Sequence, residues 1–440
     1  MEHLVIIGNG IAGITIARNV RKQLDMKITV ISSESKYFFS RTALMYIYMG
    51  HMKFEDTKPY EDWFWEKNKI NLVYAHVDKI DTDNKLLVLN NGETINYDKL
   101  VVATGSHSNK FGWPGQDLPG VQGLFTIQDL ELLEKNTKDI KHAVIIGGGL
   151  VGIELAEMLH SRNIHVTFLI REDYYWNNIL PKEDSQLICK EILQNGIDLI
   201  LKTNLKEILS GKDGRVRAVV TDKGDELECQ FVGLTPGVHP NIDVVKDSKI
   251  ETGRGVLVNE YLETNIPDVY AAGDCIEIKA IREGAPNRLE QLWYTARMHG
   301  EALAKTICGN RTKYERGIWF NSAKFFDIEY QTYGFISNVQ RAGEKTFFWQ
   351  DKEMKHAVRI VYKEDDKSIV GVNVFGIRLR HKVFENWIKE KKTVGYVVNN
   401  LRRANFDPEF FKKYEPAIIK EFKKQNPEME ESIITEKTFS

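Results

Sequence analysis

A duplicated strand–turn–helix segment is the feature that most constrains the fold of this chain. Residues 4–17 read LVIIGNGIAGITIA, and residues 143–156 read AVIIGGGLVGIELA. After each copy comes a second apolar, strand-like segment that ends on an acid, Glu34 in the first copy and Glu172 in the second. One such unit is a weak signal, whereas two complete units predict two Rossmann-like dinucleotide-binding folds, each with a parallel sheet.

The glycines of the two turns have separate physical roles. The first glycine of each turn allows a tight bend after the strand, the second lets a pyrophosphate approach the backbone, and the third allows close packing of helix on sheet. The helix that follows presents free N–H groups and a positive dipole end to phosphate. These glycines are Gly8, Gly10 and Gly13 in the first unit and Gly147, Gly149 and Gly152 in the second.

Length and composition indicate an ordinary multidomain protein. The chain has 440 residues, of which 42% are hydrophobic and 28% charged, and its formal net charge is -2. A near-neutral chain without a nucleic-acid motif is not expected to bind nucleic acid. No run of 18 apolar residues exists and the start MEHLVIIGNG lacks a signal-peptide pattern, so we expect a cytoplasmic protein without an integral membrane segment.

The cysteines argue against several classes of site. None of them has C-x-x-C spacing, which disfavours a disulfide framework, a zinc site or an iron–sulfur site. We therefore expect no bound metal. The four are Cys189, Cys229, Cys275 and Cys308.

The pattern between and after the two units indicates further structure. Residues 72–102 read as short strands with a hairpin signal at Asn91-Gly92. The sequence becomes aromatic and strand-rich from about residue 315, and helical and basic after Gly376. We expect an α/β fold with two Rossmann-like dinucleotide-binding domains, a C-terminal α+β domain and a helical tail. The expected domains are residues 1–110 with 234–315, residues 111–233, and residues 316–440.

Two further segments give the chain a resemblance to a known family. YDKLVVATGS (residues 97–106) resembles the ATG motif of the pyridine nucleotide–disulfide oxidoreductases, and VYAAGDC (residues 269–275) resembles their second FAD motif. The resemblance covers residues 1 to about 310. It implies that the first unit binds FAD, that the second binds NADH or NADPH, and that the C-terminal region is the interface domain of a homodimer.

By this resemblance, individual residues have expected roles in binding FAD. Glu34 would bind the adenosine ribose hydroxyls, the backbone of Val77 would meet the adenine, and Arg41 would contact a phosphate. Asp274 would hydrogen-bond the ribityl or pyrophosphate region. The other residues expected to line the FAD site are Ala12, Ala103, Thr104, Gly105 and Gly273.

The second unit leaves the choice between NADH and NADPH open. Its second strand ends Ile170-Arg171-Glu172, and an acid there would bind the 2′-OH of NADH whereas an arginine would favour the 2′-phosphate of NADPH. Because Glu172 matches Glu34 when the two units are superposed, the pattern slightly favours NADH. Glu154 resembles the family glutamate that lies near the nicotinamide and the flavin.

The segment SRTALMYIYMG, residues 40–50, contains no cysteine, although the disulfide reductases of this family carry redox thiols there. We therefore expect electrons to leave the flavin without a thiol. Tyr46 stands where ferredoxin-reductase relatives carry a lysine and is expected to wall the flavin face. RLEQLWYTARMHG, residues 288–300, resembles a flavin-facing helix of NADH-dependent ferredoxin and rubredoxin reductases. It assigns Glu290 and Trp293 to the flavin site, with Trp293 either covering the ring or filling the core.

The leading expectation is an NAD(P)H-dependent FAD oxidoreductase that passes electrons directly to a carrier protein such as ferredoxin or rubredoxin. The second hypothesis is a peripheral NADH:quinone dehydrogenase or an NADH oxidase. Residues 410–425 have lysines and apolar residues at helical spacing that could lie on a membrane, although Pro416 interrupts the pattern. A flavoprotein that senses NAD(P)H through its assembly state is the non-enzymatic alternative.

A basic C-terminal segment bears on the choice of partner. Residues 378–424 contain 13 Lys and Arg against 6 Asp and Glu. Such a surplus is either the solvated surface of terminal helices or a docking surface for an acidic ferredoxin or rubredoxin, whose association it would accelerate. His381 is the only histidine near this end and no His-Pro dipeptide occurs, so the catalytic His–Glu pair of the disulfide reductases is not expected.

Overall fold

Three five-stranded sheets form the frame of the protein. The structure, a computed structural model, describes residues 1–282, 284–406 and 412–429. The strands of the first two sheets are all parallel, and those of the third are antiparallel. This arrangement confirms the expected fold class, in which two parallel α/β units precede an α+β region.

The first glycine-turn unit supplies the centre of the first sheet. Its elements, with those that follow to residue 108, are β1 (His3–Ile7), α1 (Ile11–Arg21), β2 (Lys27–Ser32), α2 (Leu44–Tyr48), α3 (Trp63–Lys67), β3 (Ile70–Tyr74), β4 (Val77–Asp81), β5 (Leu86–Leu89), β6 (Thr94–Asn96), β7 (Lys99–Val102) and β8 (Ser106–Ser108). The strand order begins β3–β2–β1–β7, and the apolar runs of β1, β2 and β7 are buried as a parallel sheet requires. The strands β4, β5 and β6 form a separate antiparallel meander, with Gly92 at a φ of 82° in its second turn.

The second unit builds the second sheet in the same way. Its elements are β9 (Val121–Gln122), α4 (Ile127–Asn136), β10 (His142–Ile146), α5 (Leu150–Ser161), β11 (His165–Leu169), α6 (Lys182–Gln194), β12 (Asp198–Ile200), β13 (Leu205–Ser210), β14 (Val216–Thr221), β15 (Glu226–Glu228), β16 (Phe231–Leu234) and β17 (Val238–Pro240). The sheet order is β12–β11–β10–β16–β9, and β13 to β15 form a small antiparallel sheet beside it. Helix α4 begins after Thr126, whose side chain accepts the N–H of Asp129 in a capping box.

The chain then returns to the first sheet. The next elements are β18 (Val256–Val258), β19 (Val269–Ala271), β20 (Ile276–Ile278) and α7 (Trp293–Ile307). Strand β19 joins the first sheet beside β7. The segment that leaves the first unit, β8, pairs antiparallel with the segment that returns from the second, β17. Helix α7 packs closely on α1, because a Cβ on Gly300 would lie only 2.8 Å from the carbonyl oxygen of Ala12.

The third sheet is covered on both faces by this same chain. Its strands and the helices after it are β21 (Phe320–Phe325), β22 (Ile328–Gly334), β23 (Glu344–Gln350), β24 (Ala357–Lys363), β25 (Ile369–Phe375), α8 (His381–Lys389), α9 (Val394–Asn399), α10 (Leu401–Ala404) and α11 (Glu415–Gln425). Phe325 and Phe375 share a core with Ile188 of α6, whereas Val358 and Val374 share one with Phe384 of α8. The sheet is therefore held between the second dinucleotide-binding unit and the C-terminal helices.

The C-terminal helix corrects one expectation from sequence. Pro416 does not interrupt α11 but lies in its first turn, where the missing N–H has no intrahelical acceptor to lose. Ile418 and Phe422, the apolar stripe considered for a membrane surface, are buried against the protein itself. Residues 407–411, which belong to the basic segment and to the start of that tail, lie outside the described residues. Among the described residues, no helix combines the length and the hydropathy needed to span a bilayer.

Candidate functional site

The first glycine turn forms an open cradle at the start of α1. Gly8 has a φ of +115°, and a Cβ on it would lie 2.1 Å from the carbonyl oxygen of Ala103. A Cβ on Gly13 would lie 2.1 Å from the carbonyl oxygen of Gly8, so only glycine permits this approach of helix to strand. At Gly10, in contrast, no atom lies within 4 Å of the place where a Cβ would be. Space for a pyrophosphate is therefore open at a helix N-terminus that has no side-chain cap.

The two segments that resemble FAD motifs border this cradle. Beyond β7, Oγ1 of Thr104 donates to the carbonyl oxygen of Asn241 at 2.6 Å, and Gly105 has a φ of +74°. Beyond β19, Gly273 has a φ of +86°, and a Cβ on it would lie 3.1 Å from the Cβ of Ala12. The backbone of both segments is thus held close to the first turn of α1.

Asp274 is half-buried beside the same turn. Burial raises the pKa of its carboxyl group to about 6, and the positive charge of Arg41 opposes this rise. The group is therefore mostly ionised at neutral pH. In that form it can only accept hydrogen bonds, as hydroxyl groups of a bound dinucleotide would require.

Glu34 and Arg41 lie together at the end of β2. Nη1 of Arg41 donates to Oε1 of Glu34 at 2.7 Å and also to the carbonyl oxygen of Phe125. The backbone N–H of Ile127 donates to the same Oε1 at 3.0 Å, so the carboxylate also accepts from the first turn of α4. Val77 begins β4 with its side chain buried. The contacts of Glu34 with ribose, of Arg41 with phosphate and of Val77 with adenine stay predictions.

The second glycine turn repeats the first in detail. Gly147 has a φ of +115°, with the carbonyl oxygen of Thr235 at 2.6 Å from the place of a Cβ, and Gly152 is similarly close to the carbonyl oxygen of Gly147. At Gly149, no atom lies within 4 Å of that place. The hydroxyl of Tyr175 donates to the carbonyl oxygen of Gly149 at 2.7 Å and so helps to hold the turn in place. No motif singled out Tyr175, because a lone tyrosine in a loop has no spacing signal.

Arg171 and Glu172 follow β11, where the coenzyme ribose is expected. Nε of Arg171 donates to Oε1 of Glu172 at 2.7 Å, and the guanidinium is the more exposed of the two groups. The backbone N–H of Lys202 donates to the carbonyl oxygen of Glu172 and fixes the acid beside the sheet. A cation and an anion thus lie side by side where the ribose is expected, and the preference for NADH stays a prediction.

Glu154 and Tyr46 lie on two helices that contact each other, α5 and α2. Helix α2 packs on α5, since Met45 and Ile153 belong to one core. The Glu154 carboxyl group is half-buried, and burial, reinforced by the charge of Glu157, raises its pKa to about 7. Tyr46 is 38% exposed on α2. The arrangement places a carboxyl group that can change its charge at neutral pH in the first turns of α5, close to the second glycine turn. A position of Glu154 beside the nicotinamide stays a prediction.

Trp293 begins α7 and does not fill the core. It is 37% exposed, and its ring meets that of Tyr294 edge-on at 5.4 Å between centroids. Tyr294 in turn contacts Phe320 of β21 at 4.5 Å between centroids. Of the two expectations for Trp293, core filling is wrong because the ring is on the surface. Covering of the flavin ring stays a prediction.

The side chain of Glu290, expected from the sequence to contact FAD, points into the protein. The Glu290 side chain is only 2% exposed, which leaves it no surface for a ligand. Oε2 of Glu290 accepts from the hydroxyl of Tyr314 at 2.6 Å and faces Nε2 of His299 at 3.5 Å. Arg288 and Arg316 flank its other oxygen. Tertiary packing thus turns this side chain inward, which the motif spacing did not indicate.

No cysteine lies in the segment that would face the flavin. Cys189, Cys229 and Cys275 are buried and Cys308 is half-buried, and none of the four forms a disulfide. Burial raises the pKa of all four thiols, that of Cys229 to about 12. A raised pKa keeps a thiol protonated and unreactive at neutral pH.

The residues present fit FAD and a nicotinamide dinucleotide. At Gly10 and Gly149, beside two uncapped helix N-termini, the space that a Cβ would occupy is open. An acid follows the second strand in both units, as recognition of a ribose requires. The chemistry of the site therefore agrees with two dinucleotides bound by separate units.

Comparison with known proteins gives the same result. The family model for pyridine nucleotide-disulphide oxidoreductases matches residues 2–300. The chain is 30% identical to nitrite reductase [NAD(P)H] of Bacillus subtilis over 85% of this chain, and it spans about half the length of that relative, 46%. It is 28% identical to NADH-rubredoxin oxidoreductase of Clostridium acetobutylicum, over 90% of this chain and 99% of the relative. The crystal structure of NADH:rubredoxin oxidoreductase from Clostridium acetobutylicum superposes with a TM-score of 0.69 at 27% identity, covering 91% of this chain and 99% of the other. The chain belongs to the pyridine nucleotide-disulphide oxidoreductase family.

Proposed function

We propose that this protein is an NAD(P)H-dependent FAD oxidoreductase that passes electrons to a one-electron carrier protein without a redox thiol. One observation carries the proposal. Two open dinucleotide cradles are joined through α2 and α5, and the segment between them has Tyr46 in place of any cysteine. When bound, FAD accepts a hydride from the nicotinamide and supplies the electrons that leave the site.

The chain's own residues prepare this transfer by position and charge. The start of α7 has no side-chain cap. In this proposal its free N–H groups and positive dipole end face the flavin, where they favour negative charge. Tyr46 and Trp293 wall the site and exclude water from it. Glu154 orients the nicotinamide from α5. Hydride transfer needs no acid or base, only close stacking of two rings, so these residues act by placement.

The proposed partner is an acidic ferredoxin or rubredoxin. The names of the Clostridium relative and of its crystal structure support this class of acceptor. Within residues 378–406, exposed Lys391, Arg402 and Arg403 offer positive charge on the C-terminal helices. Such charge accelerates association with an acidic carrier in a salt-dependent way.

We further propose that NADH is preferred to NADPH, that the protein acts in the cytoplasm and that it forms a homodimer. Glu172 supports the coenzyme preference, because it lies nearer the sheet than the more exposed Arg171. The four unpaired cysteines support a reducing compartment. The resemblance of the C-terminal region to an interface domain supports a homodimer.

The decisive experiment is a kinetic screen of the FAD-loaded protein. NADH and NADPH are each combined with ferredoxin, rubredoxin, a quinone, oxygen and a disulfide, and reoxidation of the flavin is followed by stopped-flow absorbance. We expect rapid reduction by NADH and reoxidation by ferredoxin or rubredoxin. Reduction followed by reoxidation with a quinone or oxygen alone would instead support the dehydrogenase or oxidase hypothesis. Slow turnover with every acceptor, together with a coenzyme-dependent change in oligomer size, would support the sensor.

A further inference from the structure

The edge strand β21 of the third sheet spans the boundary between the two dinucleotide-binding units. Ser322 lies 3.3 Å from the hydroxyl of Tyr294 on α7, between the two side-chain oxygens. Two residues further along the same face, Nζ of Lys324 donates to Oε1 of Glu157 on α5 at 2.8 Å. One face of this edge strand therefore contacts both α7 and α5. The third sheet therefore supplies a cation to the wall of the candidate site.

The acceptor of that cation is one helical turn from Glu154. Residues three apart on a helix lie on the same face, so the carboxyl groups of Glu154 and Glu157 are neighbours. Glu157 is mostly buried, with its side chain 12% exposed. Two carboxylates in such a place repel each other when both are charged, and the repulsion from Glu157 contributes to the raised pKa of Glu154. A cation on Glu157 reduces this repulsion.

The other titratable groups around Glu154 are few. The hydroxyl of Tyr175, in the loop after β11, is within electrostatic range of Glu154, and burial raises the pKa of this tyrosine well above its ordinary value. Tyr46 on α2 and Asp327 after β21 lie within electrostatic range of Lys324. In the described part of the chain, no hydrogen bond or ion pair to Glu154 itself is found. Lys324 therefore reaches the Glu154–Glu157 pair through its ion pair with Glu157.

We propose that Lys324 is a positioning residue of the coenzyme site, which acts through Glu157 to keep Glu154 negatively charged beside the nicotinamide. The inference rests on the proposed function, which places the nicotinamide next to Glu154. An oxidised nicotinamide ring carries a positive charge and a reduced ring does not. A charged Glu154 therefore favours NAD⁺ over NADH, and the ion pair from the third sheet helps to set the balance between product and substrate binding.

The test compares the binding of NAD⁺ and NADH to the FAD-loaded protein between pH 5.5 and 8.5, by quenching of flavin or tryptophan fluorescence. In the wild type, NAD⁺ affinity rises with pH through a midpoint near the pKa of Glu154. In Lys324→Met, we expect the midpoint to move up by about half a pH unit. The shift is small because Lys324 is partly exposed and acts on Glu157, one helical turn from Glu154. NAD⁺ binding at pH 7 then weakens about twofold while NADH binding is unchanged.

Three further variants separate charge from structure. Lys324→Arg keeps the cation and restores the wild-type midpoint. The double variant Lys324→Met with Glu157→Gln removes both charges, and its midpoint is no higher than that of the wild type. Lys382→Met removes an exposed lysine that pairs with Glu385 on α8, and leaves both affinities unchanged.

The possible outcomes are distinct. A wild-type protein that binds neither dinucleotide refutes the proposed function. A protein that binds both, but whose midpoint is the same in Lys324→Met, refutes the role of Lys324 alone. Equal weakening of NAD⁺ and NADH in that variant also refutes it, because a merely structural defect does not discriminate between the two ring charges.

Discussion

The backbone N–H of Gly273 donates a hydrogen bond to Nδ1 of His299, with 3.3 Å between the two nitrogen atoms. Because Nδ1 accepts, the ring proton lies on Nε2, which faces Oε2 of Glu290 at 3.5 Å. Burial lowers the pKa of His299, in agreement with a neutral ring. The bond ties the turn that presents Asp274 to the middle of α7, and the buried Glu290 lies on the other side of the same imidazole ring.

Replacement of His299 therefore has an expected effect on FAD binding. His299→Ala removes the acceptor of a buried N–H at a cost of about 1–3 kcal/mol, and we expect FAD affinity to fall about tenfold. His299→Gln offers a side-chain oxygen as acceptor and should lose less. The FAD affinity of both variants is measured by titrating the FAD-free protein with FAD and following fluorescence quenching. His160→Ala, at the exposed end of α5, is the control. Equal losses in the alanine and glutamine variants would contradict this role.

The two open glycine turns offer a matched pair of variants. Gly10 and Gly149 have backbone conformations that alanine adopts readily, and an added Cβ meets no protein atom within 4 Å. Both alanine variants should fold normally. We expect Gly10→Ala to lose bound FAD on desalting, and Gly149→Ala to keep FAD but bind NADH at least about tenfold more weakly, because the methyl group occupies the place of a pyrophosphate.

A third glycine variant controls this pair for folding. In Gly13→Ala the new Cβ would lie 2.1 Å from the carbonyl oxygen of Gly8, so we expect a lower melting temperature. Absorbance of retained FAD, NADH binding and thermal unfolding are measured for all three. Full FAD retention in Gly10→Ala would show that the first cradle does not hold the pyrophosphate.

A buried ion pair fastens the third sheet to the coenzyme-binding unit. Nε of Arg359 on β24 donates to Oδ1 of Asp184 on α6 at 2.9 Å, and Nδ2 of Asn373 donates to Oδ2 at 2.8 Å. Arg359→Met leaves the fully buried Asp184 without its cation and should cost about 3–5 kcal/mol of unfolding free energy. Guanidinium unfolding measures this loss. Arg217→Ala, which breaks an exposed pair with Glu226, should cost less than about 1 kcal/mol, and an equal loss in both would contradict the prediction.

The adjacent Arg171 and Glu172 make opposite predictions for the two coenzymes. Glu172→Gln replaces the charged acceptor expected for the 2′-OH with a weaker, neutral amide oxygen, and we expect NADH binding to weaken about tenfold while NADPH binding improves, because charge repulsion from the carboxylate is lost. Arg171→Ala should weaken NADPH binding and leave NADH unchanged. Dissociation constants of both coenzymes are measured by fluorescence. NADH binding that is unaffected by Glu172→Gln would exclude contact between this acid and the ribose.

The glycine turns show why much of the site follows from sequence. Their contacts join backbone atoms around one short turn or between paired strands, and only glycine allows those distances, so residue type and spacing identify them. Other parts depend on packing between distant segments. Lys324 and Glu157 meet only because β21 contacts α5. Glu290 turns inward because the hydroxyl of Tyr314 donates to it and His299 of α7 lies beside it. A sequence motif can identify such a residue, but it does not predict where the side chain points, because that depends on tertiary contacts.

The electron capacity of the protein tests the absence of a redox thiol most directly. The cysteine thiols are buried or half-buried with raised pKa values, so none is expected to exchange electrons with the flavin. Anaerobic titration with dithionite should end after two electrons per FAD, whereas a flavin coupled to a disulfide takes two more. Alkylation of Cys308, the half-buried thiol, should leave flavin reduction by NADH unchanged. Uptake of four electrons, or loss of reduction after alkylation, would assign a thiol to the electron path and refute direct transfer from the flavin.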